Sequence, residues 1–319
     1  MISIFNDVIG PVMRGASSSH CAAALRIGRL ARDLMNADLT HVLVEFDVNG
    51  SLPSTHQSQG SDMGLFGGLL GWDAADDRLP MSPTALREAG VHVDIRYIDC
   101  HDPHPNTYRL TLSNARESHT LMAISTGGGM IQVIAIDGAP VRIDGGAHVT
   151  IGDRELHPVL PVLSQPNAVL PFTTCNELLA YDAGREIPLW QYAVEYERVR
   201  GAIDDAQVLS MMVDIVRILR RSIAQGISGT EFHDRMLGAQ SGKFAVMMER
   251  GGLLNAGVLN RTVLYTTALM EVKSSMGVIV AAPTAGACAA LPAACIAVAE
   301  EMQCGEEDMA RAMLAAGLI

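Results

Sequence analysis

The spacing of hydrophobic and polar positions differs between the two halves of the chain. In the first half, apolar and polar residues alternate in short segments, which is typical of half-buried β-strands. These predicted strands are 42–48, 91–97, 107–112 and 131–136. Two segments between the strands, 22–35 and 62–70, have apolar residues at helical spacing. We therefore expect an α/β sandwich in residues 1–150, with helices covering one face of a sheet.

Beyond residue 172 the apolar spacing is helical almost throughout. The predicted helices are 176–183, 188–200, 205–225, 229–237, 259–273, 292–303 and 306–318. Prolines interrupt the chain repeatedly between 138 and 172, and we expect a linker at 151–172. The predicted fold class is α+β, an N-terminal α/β sandwich domain followed by an all-α domain at 173–319. The chain ends on an apolar helical tail, so we expect this helical domain to be incomplete.

Composition and charge narrow the range of partners. The 319 residues carry 23 basic and 35 acidic side chains, a net charge of −12, with no basic stretch. This argues against nucleic acid or an anionic membrane as the main partner, although a small anionic substrate needs only a local positive site. Six scattered cysteines without paired spacing indicate reduced thiols, and no signal peptide is evident. We expect a cytoplasmic protein.

A hydroxyl-rich segment precedes the first predicted helix. It contains Ser17, Ser18, Ser19 and His20 in succession. Serine hydroxyls and the free N–H groups of a helix start can bind an anion together. The alternative is that the serines only cap the helix within a Ser-rich loop.

Two further polar segments lie at strand ends. Residues 101–107 place His104, Asn106 and Thr107 directly before a predicted strand, either at a binding site or in a β-turn with surface histidines. Residues 50–62 form a polar loop after another strand and contain His56 and Gln59. Loops at strand ends are common places for active-site groups.

A segment of small residues near the C-terminal end carries a single thiol. Residues 276–292 run from an apolar stretch through Thr284 and a tight turn with Cys288 to an apolar helix pattern that begins at about Pro292. Small residues let a ligand approach the backbone closely, and a thiolate can bind a metal or a cluster. The alternative is a small buried core residue.

Taken together, these segments resemble the iron-sulfur-dependent L-serine dehydratases over essentially the whole chain. The family's Gly-Pro-Ser-Ser-Ser-His-Thr motif corresponds to 15–21, and its Gly-Ser-x-x-x-Thr-x-x-Gly-His-x-Thr-Asp loop corresponds to 50–62. His-Pro-Asn-Thr and Gly-Gly-Gly correspond to 104–107 and 127–129. Met-Gly-x-Ile-Val-Ala-Ala-Pro-Thr-Ala-Gly-Ser-Cys-Gly corresponds to 276–289.

The resemblance implies a lyase that deaminates L-serine, or a similar small molecule, to pyruvate and ammonia. A [4Fe–4S] cluster would act as Lewis acid on the substrate hydroxyl, with Cys288 as one of three thiolate ligands. Substrate would be bound by eight residues: Ser17, Ser18, Ser19, His20, His104, Asn106, Thr107 and Thr284. The resemblance also implies a homodimer.

Several positions depart from the family pattern. Gln59 stands where the loop has its histidine, and an amide cannot accept the α-proton at neutral pH. His56 could replace that base only if the loop turns it inward. The family's other two cluster cysteines lie beyond Ile319, and neither Cys295 nor Cys304 matches them. We therefore expect that a second polypeptide completes the α domain or that the chain is truncated.

These departures keep a second function open. The chain could be a cluster-free or divergent homologue that binds or processes another small hydroxy amino acid, or it could be inactive. A pyridoxal-phosphate dehydratase is disfavoured, because no lysine stands in a Ser-x-Lys setting beside a Gly-rich phosphate loop.

Overall fold

The computed structural model describes residues 1–165, 167–231 and 237–319. It contains both sheets and helices, which confirms the predicted α+β class. Contacts divide the chain into two compact units. The sheet unit is Met13–Leu160, and the helical unit is Met1–Val12 together with Pro161–Ile319.

The sheet unit contains most of the strands. Strand β1 (Val12–Arg14) begins where the chain passes from one unit to the other. The following elements are α1 (Ser18–Leu34), β2 (His41–Asp47), α2 (Leu52–Thr55), α3 (Ser61–Leu69), α4 (Ser82–Glu88), β3 (His92–Ile98), β4 (Thr107–Ser113), β5 (Ser118–Gly127), β6 (Met130–Ile136), β7 (Ala139–Ile143), β8 (Val149–Ile151) and β9 (Arg154–Leu156).

Six of these strands form one sheet in the order β3-β2-β4-β5-β6-β7. Strands β2 and β3 are parallel, and each other neighbouring pair is antiparallel. Helices α1 and α3 pack very closely, since a Cβ atom on Gly28 would lie 2.4 Å from the Leu65 carbonyl oxygen. The core between sheet and helices includes Ile27, Val44 and Tyr108, which are all fully buried.

The strands predicted at 42–48, 91–97, 107–112 and 131–136 are present within one residue at each end. The alternation did not reveal β5, and β7 to β9 lie in the region that the prolines marked as a loop. Pro140 is accommodated because β7 is an edge strand, where a missing N–H breaks no central ladder. The hairpin of β8 and β9 belongs to the sheet unit, which reaches Leu160.

The helical unit starts with a short π-helix, Ile4–Val8. Its further elements are α5 (Cys175–Asp182), α6 (Leu189–Gly201), α7 (Asp205–Ser228), α8 (Ser241–Glu249), α9 (Val258–Ser274), β10 (Val278–Val280), α10 (Ala287–Glu301) and α11 (Glu306–Leu318). The predicted helix 229–237 lies largely outside the described residues, as does Pro166 of the predicted linker. None of the described helices is long and apolar enough to cross a membrane.

The first twelve residues belong with the helices, whereas the pattern placed them in the sandwich. Ile4, Phe5 and Ile9 are buried in the same core cluster as Leu219 and Met313. The backbone N–H of Gly10 also donates to the carbonyl of Ala281 at 3.0 Å. These apolar side chains therefore leave water by packing among the helices.

Helix α10 begins at Ala287, five residues before the predicted start at Pro292. Pro292 therefore lies inside the helix. Because proline has no N–H, the carbonyl of Cys288, four residues earlier, loses its usual helical donor. The proline was a misleading start signal here.

Candidate functional site

The hydroxyl-rich segment lies at the start of α1. Ser17 occupies the N-cap position, but its side chain makes no capping hydrogen bond. The Ser17 hydroxyl oxygen lies 3.0 Å from Nδ1 of His20 instead. Ser18 and Ser19 are half-buried on the first turn, and their backbone N–H groups precede the first intrahelical acceptor. The simple capping interpretation of Ser17 is therefore wrong.

The hydrogen bonds of His20 assign its tautomer. Nε2 lies 3.1 Å from the hydroxyl oxygen of Thr55, and that hydroxyl donates its one hydrogen to the Ser51 carbonyl at 2.7 Å. Thr55 must therefore accept from Nε2–H. Burial lowers the pKa of His20, which favours the neutral ring. In the neutral ring Nδ1 is unprotonated and accepts from the Ser17 hydroxyl.

The loop after β2 is held against the turn before β4. The Ser51 N–H donates to the Pro105 carbonyl at 2.9 Å, and the Ser51 hydroxyl donates to Oδ1 of Asn106. Gly50 is needed for this approach, because a Cβ atom there would lie 2.7 Å from the Pro105 carbonyl oxygen. The Asn106 N–H in turn donates to Nδ1 of His104 at 3.2 Å.

Ser125, near the end of β5, connects this turn back to α1. Its N–H donates to the Asn106 carbonyl at 3.1 Å, and its hydroxyl donates to the Ser19 carbonyl at 2.9 Å. The structure thus joins polar groups from four segments of the sheet unit. We call this set the hydroxyl cluster: Ser17, His20, Ser51, Thr55, Asn106 and Ser125.

Three members of the hydroxyl cluster were not predicted as site residues: Ser51, Thr55 and Ser125. A signal was available for Ser51 and Thr55, because both are fixed positions of the loop motif at 50–62. Ser125 precedes the glycines at 127–129, which form the turn between β5 and β6 with positive φ angles. Arg26 holds that turn by donating to the Gly129 carbonyl at 2.6 Å.

Thr107 was predicted to bind substrate, but its hydroxyl has a local partner. It donates to the His104 carbonyl at 2.7 Å, and the residue is only 3% exposed. This bond closes the turn that presents His104 and Asn106. A positioning role for Thr107 fits this environment better than ligand contact.

His56 is turned inward, as its predicted role required. It is 3% exposed, and Nδ1 lies 2.7 Å from a carboxylate oxygen of Asp62. Nε2 lies 2.8 Å from the hydroxyl of Tyr97 on β3. Since the carboxylate accepts from Nδ1–H, Nε2 of the neutral ring accepts from the tyrosine. Asp62 and Tyr97, both missed as partners in the sequence analysis, fix the orientation of this imidazole.

Gln59 is half-buried on the same loop. Its backbone N–H donates to the Thr55 carbonyl at 2.9 Å, which links it to a member of the hydroxyl cluster. The amide side chain has hydrogen-bonding groups but no basic nitrogen. Gln59 can therefore orient a ligand but cannot remove a proton from carbon.

Thr284 and Cys288 lie in the helical unit. Thr284 is exposed, and Cys288 is on the first turn of α10 rather than in the preceding turn. The Cys288 thiol is 3.2 Å from the Ala285 carbonyl, and burial raises its pKa although the charge of Lys273 opposes the shift. Lys273 also donates to the Ala285 carbonyl at 3.0 Å.

The cysteines do not assemble a cluster site within the described residues. Two groups of three metal-ligating side chains occur there, and neither contains Cys288. Cys295 lies on α10 with its sulfur 3.7 Å from the Met309 carbonyl, in a setting that is partly buried. The side chains described here thus provide one thiol at the predicted position and do not fit a three-thiolate site.

Comparisons with known proteins show which proteins the chain is similar to. Residues 184–319 match the family model described as serine dehydratase alpha chain. The chain is 38% identical over 143 residues to the probable L-serine dehydratase, beta chain, of Bacillus subtilis, covering 45% of this chain and 64% of that protein. It is 32% identical over 142 residues to the L-serine dehydratase, beta chain, of Peptoniphilus asaccharolyticus, covering 44% and 63%.

A third relative matches the whole chain. The L-serine dehydratase of Streptomyces coelicolor is 26% identical over 345 residues, which cover 100% of this chain and 70% of that protein. The chain spans less than two thirds of the length of the two beta-chain relatives. The chain has an α+β fold and is similar to L-serine dehydratases in both of its halves.

Proposed function

We propose that the chain acts as an enzyme in the deamination of L-serine to pyruvate and ammonia. Similarity to proteins named L-serine dehydratase supports this reaction class. The hydroxyl cluster is the observation that carries the proposal, since it gathers neutral donors and acceptors beside a helix start. L-Serine carries a carboxylate, an ammonium and a hydroxyl, and each needs such partners.

The substrate carboxylate is placed at the first turn of α1. The backbone N–H groups of this turn and the hydroxyls of Ser17, Ser18 and Ser19 are suited to an anion. His20 orients Ser17, because Nδ1 accepts its hydrogen and leaves the oxygen lone pairs directed elsewhere. His104 and Asn106 supply further polar groups beside the cluster, and Thr284 of the helical unit remains a proposed contact.

His56 is the best candidate for the base that removes the α-proton. Asp62 holds its Nδ1 and would stabilise the imidazolium that forms when Nε2 takes the proton. Tyr97 occupies Nε2 in this structure, so its hydroxyl must move aside for direct transfer. In the elimination, the Cα–H electron pair forms the Cα=Cβ double bond as the Cβ–O bond breaks, and the hydroxyl leaves as water with a proton that solvent supplies. The resulting aminoacrylate hydrolyses to pyruvate and ammonia.

The proposed cofactor rests on the similarity to the family and not on the geometry of this site. The family suggests an iron-sulfur cluster, and Cys288 is the residue that we propose as one ligand. The other described cysteines do not complete such a site. Separate beta and alpha chains are named among relatives, and we propose that assembly with a second polypeptide or a second copy supplies what is lacking.

The test is L-serine-dependent pyruvate formation under anaerobic conditions with added iron and sulfide. The chain is assayed alone and with an alpha-chain subunit, and L-serine binding is measured by calorimetry in parallel. We expect turnover, and a loss on the order of 10²- to 10⁴-fold in kcat for His56→Gln. His101→Gln, at a histidine with an exposed side chain, is the matched control. No pyruvate and no binding in either assembly would reject the proposal.

A second candidate function is binding of a small hydroxy amino acid without turnover. Gln59 at the motif histidine and the isolated thiol of Cys288 favour it. A thermal shift with L-serine that is lost in Asn106→Ala, without pyruvate in any assembly, would support this function. Measured lyase activity would exclude it.

A further inference from the structure

A group of metal-ligating side chains lies in the sheet unit away from the hydroxyl cluster. His41 and His92 begin the parallel strands β2 and β3 and are direct partners in the register. Their rings stack at 5.6 Å between centroids with an interplanar angle of 22°. Asp94 lies two residues after His92, and therefore on the same face of the sheet.

The distances between the donor atoms match those around a small metal ion. His41 Nε2 is 3.1 Å from one carboxylate oxygen of Asp94, and His92 Nε2 is 3.3 Å from the other. One ligand atom from each of the three residues lies within 4.8 Å of the other two. A tetrahedral Zn²⁺ with ligands at about 2.0–2.1 Å separates neighbouring donors by roughly 3.3 Å. The two imidazole–carboxylate distances are thus close to those around a bound ion.

The donor set and its exposure also fit a bound cation. Two imidazoles and one carboxylate form a ligand set that Zn²⁺ commonly uses when a fourth position is left for water. The side chain of His92 is 73% exposed, so solvent reaches the group. The ordinary alternative is that both histidines merely hydrogen-bond Asp94.

The second group of this kind does not fit as well. It consists of Asp47, Cys100 and Asp102. Arg109 already pairs with Asp102, and Asp47 accepts backbone N–H bonds from Asn49 and Asp102 at 2.9 and 2.5 Å. These carboxylates have their partners within the protein. For His41, His92 and Asp94, the side-chain hydrogen bond and ion pairs in the described part of the chain join members of the group to one another.

We propose that His41, His92 and Asp94 form a Zn²⁺ site at the edge of the six-stranded sheet. The site is separate from the proposed reaction and does not depend on it. Binding joins the two parallel strands through their side chains, which stabilises the edge strand β3.

The test is titration of chelator-treated full chain with Zn²⁺ under reducing conditions, followed by calorimetry and by melting temperature. We expect His92→Ala and Asp94→Asn to weaken the binding of one Zn²⁺ ion by on the order of tenfold to a hundredfold. We also expect that Zn²⁺ no longer raises the melting temperature of these two variants through this site. His101→Ala and Cys100→Ser are matched controls that should bind as the wild type does. Melting without metal checks the fold, and His92→Gln replaces His92→Ala if that variant is unstable.

Three results would overturn the site. The first is equal stoichiometry and affinity in the wild type and the His92 variants. The second is an equal loss in His101→Ala, which would indicate nonspecific imidazole binding. The third is loss of Zn²⁺ binding in Cys100→Ser alone, which would place the ion at the group of Asp47, Cys100 and Asp102.

Discussion

The two units contain polar networks of opposite character. In the helical unit, Glu197 is 0% and Arg200 1% exposed, and Glu197 accepts from the Ile4 N–H at 2.6 Å and the Ser3 hydroxyl at 3.1 Å. Arg200 donates to the Met1 carbonyl at 3.2 Å. In the sheet unit, the hydroxyl cluster is uncharged, and all its members except Ser125 are half-buried.

This difference separates a structural network from a binding site. Charged groups without solvent cannot exchange partners, because an uncompensated charge in the core is very costly. Neutral hydroxyls and a neutral imidazole at partial exposure can exchange one hydrogen bond for another at low cost. Ligand binding requires such exchange. The hydroxyl cluster, rather than the more strongly bonded network at Glu197, is therefore the place to expect substrate.

The largest effect should come from breaking the charged network. Glu197→Ala leaves the Ile4 N–H and the Ser3 hydroxyl without their acceptor, and it removes the carboxylate that lies 4.0 Å from the buried Arg200 guanidinium. We expect the free energy of unfolding to fall by about 3–5 kcal/mol. Denaturant unfolding measures this loss. Glu195→Ala on the same helix is the control, because its partner Arg185 is at the surface and the loss should stay below about 1 kcal/mol. Similar losses in both variants would contradict the assignment.

The hydroxyl cluster should respond in the opposite way, with a large effect on binding and a small one on stability. His20→Ala removes the partner of both Ser17 and Thr55. We expect L-serine affinity to fall roughly tenfold to a hundredfold, which corresponds to about 1–3 kcal/mol. Calorimetric titration measures the affinity, and His101→Ala is the matched control. Unchanged affinity in His20→Ala would remove the cluster from the binding site.

The sequence predicted most helices and strands of both units, but it did not predict which residues belong to the helical unit. Alternation identified β2, β3, β4 and β6, since each has one face in the core. It could not place residues 1–12, because a short apolar segment does not reveal which distant core it joins. The start of α10 was mistaken because proline is usually found at the first helical position, whereas Pro292 lies inside.

The site was predictable as a set of segments but not as a set of bonds. Motifs at 15–21, 50–62 and 104–107 indicated the polar groups that the structure brings together. They could not show that Ser17 faces His20 instead of capping α1, or that Thr107 is used within its own turn. Hydrogen-bond direction depends on the tertiary arrangement, which no local pattern contains.

A smaller effect should come from substitutions of Thr55. They test whether the Thr55 hydroxyl fixes the tautomer of His20 or whether the residue only buries the ring. Thr55→Val keeps the shape but removes the acceptor for Nε2–H of His20. We expect L-serine affinity to fall by about 0.5–1.5 kcal/mol, while Thr55→Ser keeps the hydroxyl and the affinity. Calorimetric titration with L-serine measures the affinity of both variants. If valine and serine behave alike, the hydroxyl of Thr55 does not position the ring.

The smallest effect concerns pH and tests whether His20 is neutral in the folded protein. Burial lowers the pKa of His20, so the unfolded chain takes up a proton at about pH 6.5 before the folded protein does. The stability that this neutral ring contributes is present above about pH 6.5 and is lost as the pH falls toward the folded-state pKa. His20→Asn has no such group. We therefore expect the wild type to lose more unfolding free energy than His20→Asn does between pH 7.5 and pH 5.

Urea unfolding at several pH values measures this difference. Asn106→Ala is the matched control, because it disturbs the same cluster while keeping His20, and it should lose stability with falling pH as the wild type does. Parallel curves for the wild type and His20→Asn would mean that folding does not change the protonation of His20. In that case the ring would be protonated as readily in the cluster as in water, and Ser17 would lose its acceptor at Nδ1 as the pH falls below about 6.5. The orientation of Ser17 on which substrate binding is proposed would then need another cause below that pH.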